Sequence, residues 1–303
     1  VYGLGANALN AKAVKKIFTA KGRPSDNPLI VHVDSIRQAR QLAYVTKRAE
    51  KLMKKFWPGP LTLVLKKKKG VPSVVTSGLS TVAIRMPSHP VARALIRMAK
   101  TPIAAPSANR AGRPSPTRAE HVRHDLDRRI DLILDGGSTH VGLESTVVDM
   151  TGLQPVILRP GKITAPAIAR VLRQPTSAGK NRSRPRSPGM KYRHYAPEAQ
   201  LVLVEGPCDR ARKTIRRLYR ETTATGKRTA WIDFLNPEPP KPATDLGRTL
   251  PVVAKKLFAA LRDMDNEGVD VIFIRGVAER GIGAALMNRL RKAAARIIDA
   301  DGK

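Results

Sequence analysis

Lys21, Arg23 and Asn27 stand just past a stretch of helical periodicity, in the run Lys21-Gly-Arg-Pro-Ser-Asp-Asn-Pro-Leu-Ile30. Some eighty positions later Ser107, Asn109 and Arg110 follow a short apolar strand, in Ala104-Ala-Pro-Ser-Ala-Asn-Arg110. Arg23 offers forked donors suited to phosphate oxygens. Lys21 suits the same anion, and equally suits the negative end of a helix that Gly22 would cap. Asn27, between Asp26 and Pro28, builds a turn or lends its amide to a ligand. The small residues around Ser107 and Asn109 let a ligand approach backbone N–H groups, or simply form an Asx or Ser turn. Together these groups could hold a phosphorylated ligand without a Walker-type loop, the signature of a nucleotide-using enzyme.

Further polar groups sit on or at the ends of strand-like segments. His32 lies in Leu29–Val33, where a lone histidine is more often structural than catalytic. Thr81 and Arg85 are four apart, so period two sets both on one sheet face with Ala83 leaving space between them. An arginine on such a face needs an anion, either an internal carboxylate or a substrate, and the substrate is slightly favoured. Gly136-Gly137, Gly142-Leu-Glu-Ser-Thr146 with Ser145 opening a strand, and Arg159-Pro-Gly161 are further loops of the same kind. Several cationic or hydroxylic loops at strand ends imply one shared anion-binding cleft. The chain shows no paired carboxylates, no activated thiol and no Ser/His/Asp motif. Gly3-Leu-Gly-Ala-Asn-Ala8 fits a relaxed dinucleotide pattern, but without a preceding strand or a later acidic residue it does not support a nicotinamide enzyme.

The chain of 303 residues has room for two domains, and its formal net charge of +32 suggests polyanionic company such as nucleotides, tRNA or other RNA, double-stranded RNA included. A solvated Arg-rich surface would look the same, and aromatic residues that could stack on bases are few. A single cysteine, Cys208, excludes internal disulfides and cysteine-based zinc sites, in keeping with a reducing cytoplasm. Apolar runs are too short to span a bilayer, so no membrane is expected.

Periodicity predicts a helix over Ala11–Ala20, one helical stretch from Ser35 to Phe56, and helices at Val91–Met98, Arg118–His124 and Ala165–Leu172, the last with Thr164 as N-cap. Strands are expected at Leu29–Val33, Leu61–Leu65, Thr81–Met86, Pro102–Ala105, Ile130–Leu134, Ser145–Met150 and Val156–Arg159. Such a mixture without strict alternation predicts an α/β fold with a mixed sheet. A basic, Pro- and Ser-rich run from Gln174 to Pro188 reads as a linker. Beyond it, strands at Leu201–Val204, Thr229–Ile232 and Val269–Ile274 alternate with helices at Arg210–Tyr219, Val252–Met264 and Ala284–Ile297, a small β/α domain.

Val1-Tyr-Gly-Leu-Gly-Ala6, Lys21–Pro28, Ala105-Pro-Ser-Ala-Asn109, Gly142–Thr146 and Leu158-Arg-Pro-Gly161 together resemble the YrdC family. Ser187-Pro-Gly-Met-Lys-Tyr-Arg-His-Tyr-Ala-Pro197 and Arg280-Gly-Ile-Gly-Ala-Ala-Leu-Met-Asn288 extend the likeness to its long two-domain form, the threonylcarbamoyl-AMP synthases. The ordered set covers almost the whole chain. It implies a YrdC-like mixed twisted sheet over residues 1–172, a linker or lid over 173–198, and a smaller Rossmann-like α/β domain over 199–303. It further implies that L-threonine, bicarbonate and ATP, with Mg²⁺, give threonylcarbamoyl-AMP and pyrophosphate. A downstream complex would pass the threonylcarbamoyl group to adenosine 37 of tRNAs reading codons that begin with A.

Carried over by motif, Lys21, Arg23, Ser107 and Asn109 form the core of the catalytic cleft. Arg23, Asn27, Thr81, Ser107, Ser115, Arg159 and Tyr195 contact ATP, and His32, Arg85, Ala105 (through its backbone) and Ser145 hold threonine. Tyr192, His194 and Tyr195 lie in a linker motif that folds over the cleft. The family carries a threonine, preceded by a helix and a strand, directly before Val-Tyr-Gly-Leu-Gly; since the chain opens at Val1 inside that motif, a missing N-terminal segment is expected. Two other readings stand beside this one. A carbamoyltransferase of hydrogenase maturation would need cysteine-rich zinc modules, and an RNA-binding module without catalysis would account for the charge alone.

Overall fold

The computed structural model describes residues 1–179, 194–236, 238 and 242–301. Two sheets organise it. The larger has eight strands in the order β1-β5-β2-β4-β3-β6-β7-β8. These are β1 (Ala6–Asn7), β2 (Ile30–His32), β3 (Leu61–Lys66), β4 (Thr81–Arg85), β5 (Ile103–Ala104), β6 (Thr146–Asp149), β7 (Val156–Arg159) and β8 (Ser177–Ala178). Parallel β2–β4 and β3–β6 pairs alternate with antiparallel β3–β4 and β6–β7 pairs, so the sheet is mixed.

Side-chain alternation gives this sheet two unlike faces. Val31, Leu63, Val82, Ile84 and Val148 point to one side. There they pack against helices α1 (Ala11–Lys21), α2 (Ile36–Leu42), α3 (Lys47–Phe56), α4 (Ser73–Thr76) and α7 (Ala165–Leu172), while α5 (Pro90–Met98) and α6 (Ala119–Leu126) lie outside this core. The opposite face carries a much smaller apolar cluster of Ile30, Val64, Ala83 and Val147. His32, Thr81 and Arg85 share that second face by the same period of two, and Ala83 leaves the space expected beside Arg85. One face builds the core, and the other is left for polar chemistry.

The smaller sheet is wholly parallel, in the order β11-β10-β12-β9-β13. It consists of β9 (Gln200–Glu205), β10 (Thr229–Asp233), β11 (Thr244–Asp245), β12 (Val271–Arg275) and β13 (Arg296–Asp299). Val202, Val204, Trp231, Val271 and Phe273 meet Ala211 and Ile215 of α8 (Cys208–Ala224) on one side. Leu201, Leu203, Ile232, Ile272 and Ile274 meet α9 (Leu250–Asn266) and α10 (Ile282–Ala293) on the other. Helices on both faces of a parallel sheet make this the Rossmann-like domain expected.

Four expectations change. The stretch from Ser35 to Phe56 is two helices, because Ala43 turns extended to bridge Lys67 and Thr46 then caps α3 by accepting the amide of Ala49. Ile130–Leu134 is not a strand: Leu132 and Leu134 face solvent, and only Ile130 and Ile133 pack on Ala108, Val122 and Leu126. The last helix stops at Ala293, and Arg296–Asp299 pairs with β9 as an edge strand. The composition-defined linker also gives the first sheet its last strand, Ser177–Ala178, paired with Val156 and Ile157.

The two sheets are joined by a close approach at Gly142, whose φ is +78°. A Cβ there would lie 2.2 Å from the carbonyl oxygen of Ala254 and 2.4 Å from the Cα of Lys255, both on α9. The neighbouring Leu143 is buried in the apolar core of the second domain. Gly142→Ala therefore forces the domains apart as well as straining the backbone, and a loss of at least about 2 kcal/mol is expected in chemical denaturation. An unchanged midpoint would contradict this role for the contact.

Candidate active site

A cavity opens between the polar face of the first sheet and the start of the second domain. Arg23, His32, Arg85, Ala105, Ser107, Ser145, Arg159, His194 and Tyr195 all line it. Nine of the residues singled out in the sequence thus converge from segments far apart in the chain.

The polar wall begins where α1 ends. Asn10 caps the helix by accepting the amides of Lys12 and Ala13, and Gly22, at φ +59°, closes it by donating to the carbonyls of Phe18 and Thr19. That left-handed cap turns the chain so that Arg23 reaches the cavity, its Nη2 donating to the carbonyl of Asn27 at 3.0 Å. Lys21 itself is buried behind the wall. Its Nζ donates to the carbonyl of Ser107 at 2.6 Å and to that of Asn109. Burial, then the positive charge of Arg23, hold its amine well below the usual lysine range. Lys21 stands in the last turn of the helix that Gly22 caps, as one sequence reading had it, and it also ties that helix end to the second polar loop.

That loop is fixed from within as well. The Ser107 hydroxyl donates to Asn109 Oδ1, and Asn109 Nδ2 donates to the carbonyls of Arg110 at 2.7 Å and Arg113 at 3.0 Å. Asn109 shapes the loop while Ser107 faces the cavity. Asn27 is 1 % exposed, and neither its amide nitrogen nor its amide oxygen has a hydrogen-bond partner. A buried amide left so costs stability until something pairs with it.

His32 and Arg85 are neighbours in register on β2 and β4. Arg85 Nε donates to the Gly59 carbonyl at 2.9 Å, and Arg159 donates to the Ser145 carbonyl at 3.1 Å and to its hydroxyl at 3.2 Å. The Ser145 hydroxyl is also 2.7 Å from that of Thr62. Among the described residues no carboxylate lies within ion-pair distance of Arg85 or Arg159. Burial and the nearby Arg159 lower Arg85 to about 10, and burial lowers Arg159 as well. Burial, with Arg85, also pushes His32 down to about 3, so it is neutral, and its Nδ1 is buried without a partner.

Tyr195 closes the cavity in a left-handed conformation, φ +68°, with its ring stacked on Phe258 of α9 at 5.4 Å. Burial raises its hydroxyl above the usual tyrosine value. His194 beside it is pushed down to about 4 by burial and by Arg23, so it is neutral at pH 7, and its Nε2 has no partner. Tyr192 lies outside the described residues. Thr81 and Ser115 are buried and do not line the cavity.

Two residues escaped the sequence reading. Among the described residues Glu144 is the one carboxylate on the cavity wall; it accepts the Ser115 hydroxyl on one oxygen and Arg289 Nε at 3.0 Å on the other. Burial would raise it, but Arg289 and Arg159 bring it down to about 2. Arg289 belongs to the second domain, so no spacing in the first could have revealed it. A parallel link joins Arg262 of α9 to Asp125, with bonds of 2.7 and 3.1 Å, and to the carbonyl of Pro114. Lys292, one turn after Arg289, is lowered to about 8 by burial and by Arg289.

These shifts fix a sign for acid stability. The histidines at 32, 121 and 194 stay neutral in the fold to about 3, 4 and 4, whereas unfolded histidine protonates near 6.5. The unfolded chain binds more protons, so stability falls as pH drops below 6.5. The Asp125 and Glu144 pairs hold until pH passes below the ordinary carboxylate values and are lost as it falls toward about 2. The denaturation midpoint should decline continuously from pH 7 to pH 4, with a shallower slope in His32→Gln; a flat profile over that range would contradict the neutral burial.

A family model described as telomere recombination, covering Sua5, YciO and YrdC proteins, matches residues 1–161, and a threonylcarbamoyl-AMP synthase C-terminal domain model matches 163–295. The threonylcarbamoyl-AMP synthase of Pyrococcus abyssi is 51 % identical over 298 residues, spanning 97 % of this chain and 87 % of its own. That of Bacillus subtilis is 50 % identical over 305 residues, with the same 97 % and 87 % coverage. The crystal structure of P. abyssi Sua5 complexed with L-threonine superposes with a TM-score of 0.93 at 50 % identity, covering 99 % of this chain and 89 % of that one. With the convergence of its motifs on one cleft, these likenesses place the chain in the Sua5/YciO/YrdC family, in the two-domain form that carries the threonylcarbamoyl-AMP synthase C-terminal domain.

Proposed function

We propose that this protein is an L-threonylcarbamoyladenylate synthase, making threonylcarbamoyl-AMP and pyrophosphate from L-threonine, bicarbonate and ATP. Beyond kinship, one observation carries the reading: Arg23, Arg85 and Arg159 converge on one cavity, and the last two lack a carboxylate partner among the described residues. Such a wall suits an amino-acid carboxylate and a triphosphate together.

The chemistry needs no enzyme nucleophile. Bicarbonate carboxylates the threonine amine with loss of water, and an oxygen of the resulting carbamate attacks the α-phosphorus of ATP. The new O–P bond forms as the bond to pyrophosphate breaks. Arg85, neutral His32, Ser145 and the backbone of Ala105 are the threonine set. Arg23, Ser107, Arg159 and Tyr195 face ATP from the cavity wall, and Asn27, with its unpaired amide, joins the nucleotide set; Thr81 and Ser115 belong to that set by motif and stand behind the wall, Ser115 on Glu144. Lys21 and Asn109 act by fixing Ser107. Catalysis comes from positioning and from cations aimed at the charge that develops on the phosphates.

Both oxygens of Glu144 are already engaged, and the described residues hold no cluster of three or more His, Cys, Asp or Glu suited to a metal. On this reading Mg²⁺ would be held by the phosphates of ATP and would supply neutralisation of their charge. His194 and Tyr195 shield the labile carbamate and mixed anhydride from water.

On this reading the product goes to a threonylcarbamoyl-transfer complex acting on adenosine 37 of tRNA, in the cytoplasm. No described helix is long and apolar enough to cross a membrane. Exposed Arg210, Lys213, Arg216, Arg217 and Arg220 along α8 give tRNA or other RNA a salt-sensitive basic face.

The test is pyrophosphate release by the full-length protein with each substrate omitted in turn. Release should need both threonine and bicarbonate, and Arg23→Ala should lower it by at least about 100-fold. Arg85→Ala should chiefly raise the KM for threonine. Release independent of both substrates would refute the assignment, and salt-sensitive RNA binding without such release would favour a non-catalytic RNA-binding module.

A further inference from the structure

We infer that Arg289 of α10 is a positioning residue of the catalytic cleft, which makes the second domain part of the active site; this rests on the synthase reading. Its side chain is fully buried, hydrogen-bonds two segments at the cavity, and stands over the ring of a third. Nε donates to Glu144 Oε2 at 3.0 Å and Nη2 makes a long 3.5 Å contact with the Glu144 carbonyl. Nη1 donates to the Pro160 carbonyl at 2.7 Å and to Asn288 Oδ1 at 3.0 Å. The guanidinium also stands 5.7 Å from the centre of the Tyr195 ring.

Asn288 aside, each of these partners is or borders a residue assigned to substrate. Glu144 precedes Ser145 and takes the Ser115 hydroxyl on its other oxygen. Pro160 follows Arg159, whose donors go to Ser145. Tyr195 is itself in the wall. One planar cation thus sets the spacing between the Glu144–Ser145 corner, the Arg159–Pro160 turn and the closing tyrosine.

Docking alone does not call for this arrangement. The domains are already latched by Arg262 on Asp125 and Pro114, and by Leu143 in the second core. A buried ion pair adds little stability over an apolar pair of the same size, because desolvation offsets the attraction. What the forked donors supply is fixed geometry at several acceptors, which a lysine, as a single point charge, does not reproduce.

The experiment compares steady-state pyrophosphate release by wild-type, Arg289→Lys and Arg275→Lys full-length proteins. Arg275 is also a buried second-domain arginine on a carboxylate, Asp233, and it does not border the cavity. Arg289→Lys should lower kcat by about 10- to 100-fold, with a raised KM for ATP, as expected when reacting groups are misplaced by an ångström or so. Arg275→Lys should leave both constants near wild type. The double variant R289M/E144Q removes both charges of this pair together, and its activity should remain low although neither partner is left behind uncompensated by the other. Full kcat and KM in Arg289→Lys, an equal loss in Arg275→Lys, or recovery in the double variant would each overturn the inference while leaving the synthase reading intact. A wild-type protein without threonine- and bicarbonate-dependent release would remove both.

Discussion

Two guanidinium groups, the half-buried Arg85 and the buried Arg159, meet in one cavity with no carboxylate of the described residues within ion-pair distance. Buried like charges repel and lose hydration, so the fold tolerates them only by giving each to polar backbone and by keeping acids away. Arg85 is held by the Gly59 carbonyl and Arg159 by Ser145. The one wall carboxylate among the described residues, Glu144, is committed to Arg289 and Ser115. What remains is a cationic space that an anion completes. This array can hold phosphate and carboxylate and has no group of its own poised to attack them.

The rest of the architecture serves that space. The first sheet keeps its large apolar side chains on the helix-covered face, which frees the other for His32, Arg85 and their small neighbour Ala83. The two loops that carry Arg23 and Ser107 are tied together by a lysine that never reaches the cavity, so the spacing of the cations is set from behind the wall. The second domain arrives through Gly142, Leu143, the Arg262–Asp125 pair and the Arg289–Glu144 pair. Its helices α9 and α10 stand behind Tyr195 of the cavity wall, through Phe258 and Arg289, which each contact that ring.

Much of this was legible in the sequence, where local chemistry is explicit. The Gly22 stop, the Thr164 cap and the alternation through Thr81–Arg85 all depend on near neighbours, and each appears as expected. So does the convergence of Arg23, Ser107, Ser145 and Arg159, because each closes or opens a strand or helix with a polar loop. What failed depends on distant partners. Ile130–Leu134 has strand-like residues but no strand to pair with, and Arg296–Asp299 becomes a strand because β9 lies alongside. Lys21 is cationic and adjacent to Arg23, yet two carbonyls some ninety residues away decide its direction. Glu144 and Arg289 stand 145 positions apart, and neither is informative without the other.

The central claim is that these cations place substrates for direct attack and that no side chain takes up the adenylyl group. The stereochemical course at the α-phosphorus tests it most directly, with ATP made chiral there by a single sulfur isomer. One in-line displacement by the carbamate inverts the configuration in threonylcarbamoyl-AMP, and inversion is the predicted result. Retention would require two displacements through an adenylylated enzyme, and would contradict a cleft that works by charge and position alone.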